Sequence, residues 1–268
     1  MKHFWIVGQL VGSQVTEASS ELLGSLHELA VDQLAEVAVV LVGSDLRMRA
    51  PTLGRMGQPM TILIESENLK NRDTEIVGRE VADLAAKRKP ELIITPHNQW
   101  GLEVAAKISA RTRNPLVTDV QSISAKDDGF VVEKYVFGGQ ILSKVWTPSS
   151  SVLTVHPGVF DTPRSADITT TVEMLEPATM ASEIKKALDH IEPSDEDGPS
   201  IADSKIIVSC GRGLQKKENL VLGKQLARKL GAALGASRTI VDAEWIHSSH
   251  QVGLTGKVVS PRLYVHVV

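Results

Sequence analysis

Short apolar, β-branched runs alternate along the first half of this chain with amphipathic segments. The runs are Phe4-Trp5-Ile6-Val7, Val37-Ala38-Val39-Val40-Leu41-Val42, Met60-Thr61-Ile62-Leu63-Ile64 and Leu92-Ile93-Ile94-Thr95. Few polar residues interrupt them, which is the pattern of strands buried on both faces. Between them, Leu22, Leu26, Leu29, Ala30 and Leu34 fall on one helical stripe, and Val77, Val81, Leu84 and Ala85 on another. A third helical segment is predicted from Leu102 to Ala110. Gly8, Gly43, Pro90 and Pro96 lie at the predicted element ends, where breakers are tolerated. Strand–helix alternation of this kind predicts a parallel sheet with helices on both faces.

From Thr118 to Val155 the period changes. Ile123, Phe130-Val131-Val132 and Tyr135-Val136-Phe137 flank Asp127-Asp128-Gly129, which predicts a hairpin. Gly138-Gly139 precedes Ile141-Leu142 and Lys144-Val145-Trp146. Ser151-Val152-Leu153-Thr154-Val155 reads as one more buried strand, closed by His156-Pro157-Gly158. The first domain is therefore expected to be a mixed α/β sheet.

Residues 192–204 are acidic, carry Pro193 and Pro199, and hold almost no core formers. They predict a linker between a domain at 1–191 and a second one at 205–268. The second restarts the alternation with Ile206-Ile207-Val208, the tight sequence Ser209-Cys210-Gly211-Arg212-Gly213-Leu214, and a helical pattern from Glu218 to Gly231. That helix places Leu222, Leu226 and Leu230 on one stripe, with Ala227 and Leu234 beside them, and a last apolar run starts at Leu263. A segment this short is small for an independent core.

Composition narrows the function classes. A net charge of -3 supplies no basic footprint, so nucleic acid is not expected as a partner. The single cysteine, Cys210, excludes a disulfide framework and a cysteine-based structural zinc site, and suits a reducing cytoplasm. No run approaches the ~18 apolar residues of a membrane span. The N-terminal run is expected to be a first strand rather than a signal peptide.

Several positions carry candidate chemistry, each with a plainer alternative. Gly211-Arg212-Gly213 lacks the third glycine of a dinucleotide fingerprint, so it is either a tight turn or an anion site with Arg212 as donor. Gly235 could cap the preceding helix, and Arg238 could be a surface charge. Gln251-Val252-Gly253-Leu254-Thr255-Gly256 is a two-glycine turn whose amides could cradle a pyrophosphate; it lacks the context of a P-loop. His247 and His250 are three apart, but capping or solvated histidines fit better than metal ligands. Cys210 is either a redox thiol or a buried small hydrophobe. In the first domain, Gly8, Gly43 and Thr95-Pro96-His97-Asn98 sit at strand ends without a phosphate loop. No nucleophile elbow or catalytic carboxylate pair stands out. The incomplete glycine fingerprint and the absence of a placed acid/base residue disfavour an NAD-dependent oxidoreductase.

Together these motifs resemble the alpha subunit of electron transfer flavoproteins. The family pattern runs Val-Ser-x-Gly-Arg-Gly-Leu, Glu-Asn, helix, Gly-Ala-Ser-Arg, Gln-Val-Gly-x-Thr-Gly-Lys. Here it reads Val208 to Leu214, Glu218-Asn219, Gly235-Ala236-Ser237-Arg238 and Gln251 to Lys257, followed by Pro261-Arg262-Leu263-Tyr264. In the first domain, Phe137-Gly138-Gly139 is similar to the family's Phe-Gly-Gly. Thr154-Val155-His156-Pro157-Gly158-Val159-Phe160 is similar to Thr-Val-Arg-Pro-Gly-x-Phe, with His156 in place of the arginine.

The resemblance implies a nucleotide-hydrolase-like N-terminal domain that holds no nucleotide and packs on a beta subunit, and a doubly wound FAD domain after it. It implies a cytoplasmic electron carrier that takes electrons from acyl-CoA or other dehydrogenases, as in fatty acid beta-oxidation, and passes them to a quinone reductase or another acceptor. It places Arg212 near the FAD phosphates, and Ser237 with the turn Val252-Gly253-Leu254-Thr255 against the cofactor backbone and flavin edge. Arg238 is placed over the ring, Thr255 near N5, and Gln251 and Gly256 beside them. The family continues past Leu-Tyr into Gly-Ile-Ser-Gly-Ala-x-Gln-His and further strands, whereas this sequence runs to Val268. The expectation is therefore a partial, C-terminally truncated FAD domain. The alternative reading is a non-redox nucleotide-binding or assembly module.

Overall fold

The structure, a computed structural model, describes residues 2–11, 14–47, 60–69, 73–160, 171–178, 199–201, 204–253, 256–257 and 259–267. The chain divides into two compact units, Met1–Asp189 and His190–Val268. Most of the linker predicted at 192–204 lies outside the described residues.

The first unit runs β1 (Lys2–Val7), β2 (Leu10–Val11), β3 (Gln14–Val15), α1 (Glu17–Gln33), β4 (Ala35–Gly43), β5 (Met60–Glu65), α2 (Thr74–Arg88), β6 (Leu92–Pro96), α3 (Gln99–Thr112), β7 (Leu116–Lys126), β8 (Gly129–Val136), β9 (Ile141–Pro148), β10 (Ser151–Val155) and β11 (Thr171–Leu175). Among the described residues, nine strands form one sheet in the order β11-β5-β4-β1-β6-β10-β7-β8-β9. The first seven are mutually parallel, and β8 and β9 add on antiparallel. Alternate residues of the central strands feed two cores. Phe4 and Ile6 pack toward Leu22, Leu26 and Leu29 of α1. Trp5 and Val7 pack toward Val77 and Val81 of α2 and Val104 and Ile108 of α3.

Side-chain caps set the helix starts. Asp73 accepts from the Glu75 amide and Asn98 from the Gly101 amide, each satisfying an otherwise orphan donor. Gly101 must be a glycine, because a Cβ there would lie 1.9 Å from the Pro96 carbonyl oxygen. One predicted stripe is trimmed: Leu34 is the left-handed cap of α1, at φ 49°, and is exposed. The edge strand β11 had no strong signal. Arg88 on α2 fixes it through a bidentate ion pair with Glu173.

The second unit contains β12 (Ile206–Cys210), α4 (Leu220–Leu230), β13 (Ala233–Ala236), α5 (Arg238–Asp242) and β14 (Leu263–Val267). Its strands form a parallel sheet in the order β13-β12-β14. Here the helical stripe is corrected. Helix α4 buries Leu220, Gly223 and Ala227, while Leu222, Leu226 and Leu230 face outward. Close approach is the reason: a Cβ on Gly223 would lie 2.2 Å from Cys210 Sγ. The small-residue face lets the helix sit directly on β12, which the leucine face could not do. Gly235 is also not the helix cap. Gly231 takes that role at φ 60°, and Gly235 lies inside β13, where a Cβ would press within 3.1 Å of both Ile207 and Val252.

Candidate cofactor site

In a parallel sheet ordered β13-β12-β14, the chain leaves β12 first to one side and then returns to the other. The switch point therefore lies between β12 and β14, and ligands bind outside the carboxyl ends of strands at such points. Three backbone bonds stitch that edge together. The Gly211 amide donates to the Val267 carbonyl at 2.9 Å, the Ser237 amide to Cys210 at 2.9 Å, and the Val252 amide to Ala236 at 3.0 Å. These bonds bring Arg212, the pair Ser237-Arg238, and Gln251-Val252-Gly253 to one rim, although the sequence separates them by up to 41 positions.

The turn after β12 has the donors an anion needs. Its opening amides, on Arg212 and Gly213, donate no hydrogen bond among the described residues. The Arg212 guanidinium is exposed and has no carboxylate partner among them. A Cβ on Gly211 would meet His266 Nε2 at 3.0 Å and the Val267 carbonyl oxygen at 3.5 Å, so a larger residue there would press on the His266 ring. His266 thus lies beside this turn, edge-on to Tyr264, and sequence reasoning gave it no place there.

The loop that begins at Gln251, after α5, closes on itself. The Lys257 amide donates to the Gln251 carbonyl at 2.8 Å, and Gly256 to Gly253 at 2.9 Å. Gly253 has φ 122°, a conformation that disfavours any side chain. A Cβ on Gly256 would lie 2.4 Å from the Gln251 carbonyl oxygen. Gln251 is buried and holds the loop base; Leu254 and Thr255 lie outside the described residues. The Ser237 hydroxyl sits 2.9 Å from that of Thr239, and Arg238 Nε donates to Asp242 at 3.2 Å, both partners being exposed. Arg238 is therefore available at the rim but already paired to a carboxylate.

Two other candidates resolve as structure. His247 Nδ1 accepts from the Ser249 amide as a cap, and buried His250 donates from Nδ1 to the Leu234 carbonyl at 2.7 Å. Cys210 is buried, and desolvation pushes its thiol pKa up, the opposite of what a reactive thiolate needs.

In the first unit the switch point lies between β1 and β6. There Asn98 Nδ2 donates to Gln9 Oε1 at 2.9 Å, across the mouth. Beside it, His97 Nδ1 sits 2.7 Å from Thr154 Oγ1, and His156 Nδ1 donates to Asp119 at 2.7 Å. Asp119 occupies a left-handed position, φ 63°, beside a bulge in β7, which aims its carboxylate at both rings. Burial holds the His97 pKa below its ordinary range; Asp119 opposes the shift, and His156 and Lys134 add to it.

Comparison with known proteins gives the arrangement its context. Residues 4–184 match the electron transfer flavoprotein domain, and residues 200–268 match the electron transfer flavoprotein FAD-binding domain. The chain belongs to the electron transfer flavoprotein alpha-subunit family. It is 29% identical to the electron transfer flavoprotein subunit alpha of Thermoanaerobacterium thermosaccharolyticum, over 98% of this chain and 81% of that protein. It is 28% identical to Protein FixB of Clostridium saccharobutylicum (98% and 80%) and 27% to the alpha subunit of Bacillus subtilis (97% and 79%). Members of this family are electron-transfer subunits rather than enzymes in the usual sense, and FAD is the cofactor of the matched C-terminal domain. The residues present fit that group: the amides after β12 and the Arg212 guanidinium, none of them partnered among the described residues, are the donor set that a diphosphate takes. The strongest family signals were legible in sequence. Gly223 was not singled out, although a lone glycine inside a helical pattern often marks a packing contact.

Proposed function

We propose that this chain is the cofactor-bearing subunit of a heterodimeric electron carrier, working with an electron transfer flavoprotein beta subunit that docks on the N-terminal unit. Its donors are acyl-CoA or other dehydrogenases, its acceptor a quinone reductase or a similar protein, and its setting the cytoplasm. Bound FAD supplies reversible electron uptake. The protein's own residues bind and tune the cofactor. The amides of Arg212 and Gly213 and the Arg212 guanidinium hold its phosphates, and the loop 251–257 with Ser237 shapes the wall beside them. Arg238 offers a fixed positive charge near the rim, where it favours any group that gains negative charge on reduction.

The observation that carries this reading is the pair of amides beside Arg212, at the switch point of the second unit, that together with its guanidinium have no partner among the described residues. The alternative nucleotide-binding module would need the corresponding crevice of the first unit, and the Gln9–Asn98 bond spans that mouth. Among the described residues no helix is long and apolar enough to cross a membrane. The test is co-expression with the beta subunit, followed by absorbance of the purified complex near 450 nm. A colourless complex that binds ATP on residues 1–190 would overturn the proposal in favour of the nucleotide module.

A further inference from the structure

Strand β14 has two unlike faces. Val265 and Val267 pack with Val208 and Cys210 on the side of α4, whereas Ile207 and Ala233 belong to the opposite face. Alternation along the strand puts Tyr264 and His266 on that opposite face. The register there sets Ser209 of β12 between His266 of β14 and Gly235 of β13. His266 is exposed and makes no hydrogen bond or ion pair with a described residue. Its ring neighbour is Tyr264, edge-on, with centroids 6.2 Å apart.

The imidazole is nonetheless held close to the turn after β12. Its Nε2 lies 3.0 Å from the Cβ position of Gly211. Short covalent bonds join that position to the Arg212 nitrogen, so Nε2 stands at most about 7 Å from that amide. Hydrogen bonds of about 2.8 Å to two oxygens of one phosphate span such a gap. On the same face, Ser209 Oγ is buried and finds no partner. Buried hydroxyls are ordinarily bonded, so an open hydrogen-bonding position sits at the strand position next to His266, where a ligand oxygen or its water completes it.

Charge points the same way. From Lys205 to Val268 the acids are Glu218, Asp242 and Glu244 alone, which leaves this stretch strongly basic. Asp242 pairs with Arg238, and no carboxylate of a described residue lies within ion-pair distance of His266. Facing the imidazole are Tyr264 on its own strand and Ser209 on β12, with Arg212 in the turn beyond; α4 and Cys210 lie across the sheet. A protonated ring here is left to a ligand for its counter-charge. We propose that His266 is a further, pH-sensitive anchor of the cofactor: its Nε2–H donates to the FAD diphosphate held at the Arg212 and Gly213 amides, most strongly when the ring is charged. The inference rests on the cofactor-bearing reading above. Histidine is the side chain that changes charge between pH 5 and 8, while a diphosphate diester stays ionised throughout.

The experiment titrates the flavin-free complex of the full chain and beta subunit with FAD at pH 6.0 and 8.0. Wild type, His266→Gln and Arg212→Gln are compared, with melting temperatures at both pH values. ADP-ribose, which carries the same diphosphate without a flavin, serves as competitor. Wild type is expected to bind FAD and ADP-ribose about fivefold tighter at pH 6.0, the margin between a charge-assisted and a neutral hydrogen bond. His266→Gln should abolish that difference at unchanged melting temperature, and Arg212→Gln should weaken binding at both pH values while keeping it. Equal wild-type affinities at the two pH values overturn the role of His266 while the cofactor reading stands. So does a difference that persists in His266→Gln, which then belongs to His247 or His250. ADP-ribose that fails to compete, or competes equally at both pH values, overturns the assignment to the diphosphate. A wild-type complex that binds no FAD at either pH overturns both readings.

Discussion

Gly223→Ala is expected to weaken the second unit although alanine is the better helix former. The wild-type helix carries its glycine 2.2 Å, by ideal Cβ position, from Cys210 Sγ, and both residues are buried. Real Cβ atoms do not approach sulfur so closely, so α4 must lift or Cys210 must rotate against Leu234 and Val208. Overpacking of this kind costs about 1–3 kcal/mol. Relief of glycine's helix penalty returns about 1 kcal/mol. The net loss is therefore up to about 2 kcal/mol. At 1.4 kcal/mol per factor of ten, β12 amides of Ile207 to Cys210 should exchange up to about 30-fold faster. Because α4 and β12 frame the switch-point turn, the same variant should hold FAD less tightly. The decisive assay is a double-mutant cycle with Cys210→Ala, which removes the sulfur and leaves a small cavity. The double variant should recover the exchange rates of wild type, a coupling that independent sites would not show. A stabilising Gly223→Ala, or additive effects in the cycle, refutes the close-approach argument.

Other expectations follow from the same structure. Gly256→Ala should break the Lys257–Gln251 closure and lower the flavin content of the purified complex, read as the ratio of absorbance near 450 nm to that near 280 nm; full occupancy would show that the loop is not part of the site. Arg238→Ala should lower the flavin midpoint potential, with about 59 mV for each 1.4 kcal/mol lost in a one-electron step, and Asp242→Asn should raise it by freeing the guanidinium. His97, depressed in the folded state, binds its proton more readily when unfolded. Stability is therefore full above the unfolded value near 6.5 and is lost as pH falls toward the folded value. Urea midpoints should drop between pH 7.5 and 5.5, and His97→Gln should shrink that drop. Glu173→Gln should destabilise the first unit by no more than about 1 kcal/mol, since the pair is partly solvent-screened, and added salt should narrow the difference from wild type.

Much of the fold was legible because burial on both faces leaves a strong trace. Phe4–Val7, Val37–Val42, Met60–Ile64 and Leu92–Thr95 each became a parallel strand, and the Asp127–Gly129 turn became a hairpin. β13 was missed because Ala233–Ala236 lacks β-branched residues; its partners, not its own propensity, make it a strand. α4 was read with the wrong face inward, since periodicity finds a stripe but cannot say which neighbour it meets.

The sequence by itself determined the two-part α/β organisation and the family, because glycines and arginines in a fixed order survive as a linear pattern. Tertiary structure alone decided that Arg212, Ser237 and Gly253 share one rim, since only the β13-β12-β14 order brings their strand ends together. It alone decided that Arg238 is paired to Asp242 while the amides beside Arg212 find no partner among the described residues. The reason is physical: a chain records which groups are present, while hydrogen-bond partners and close approaches arise only when distant segments are packed against one another.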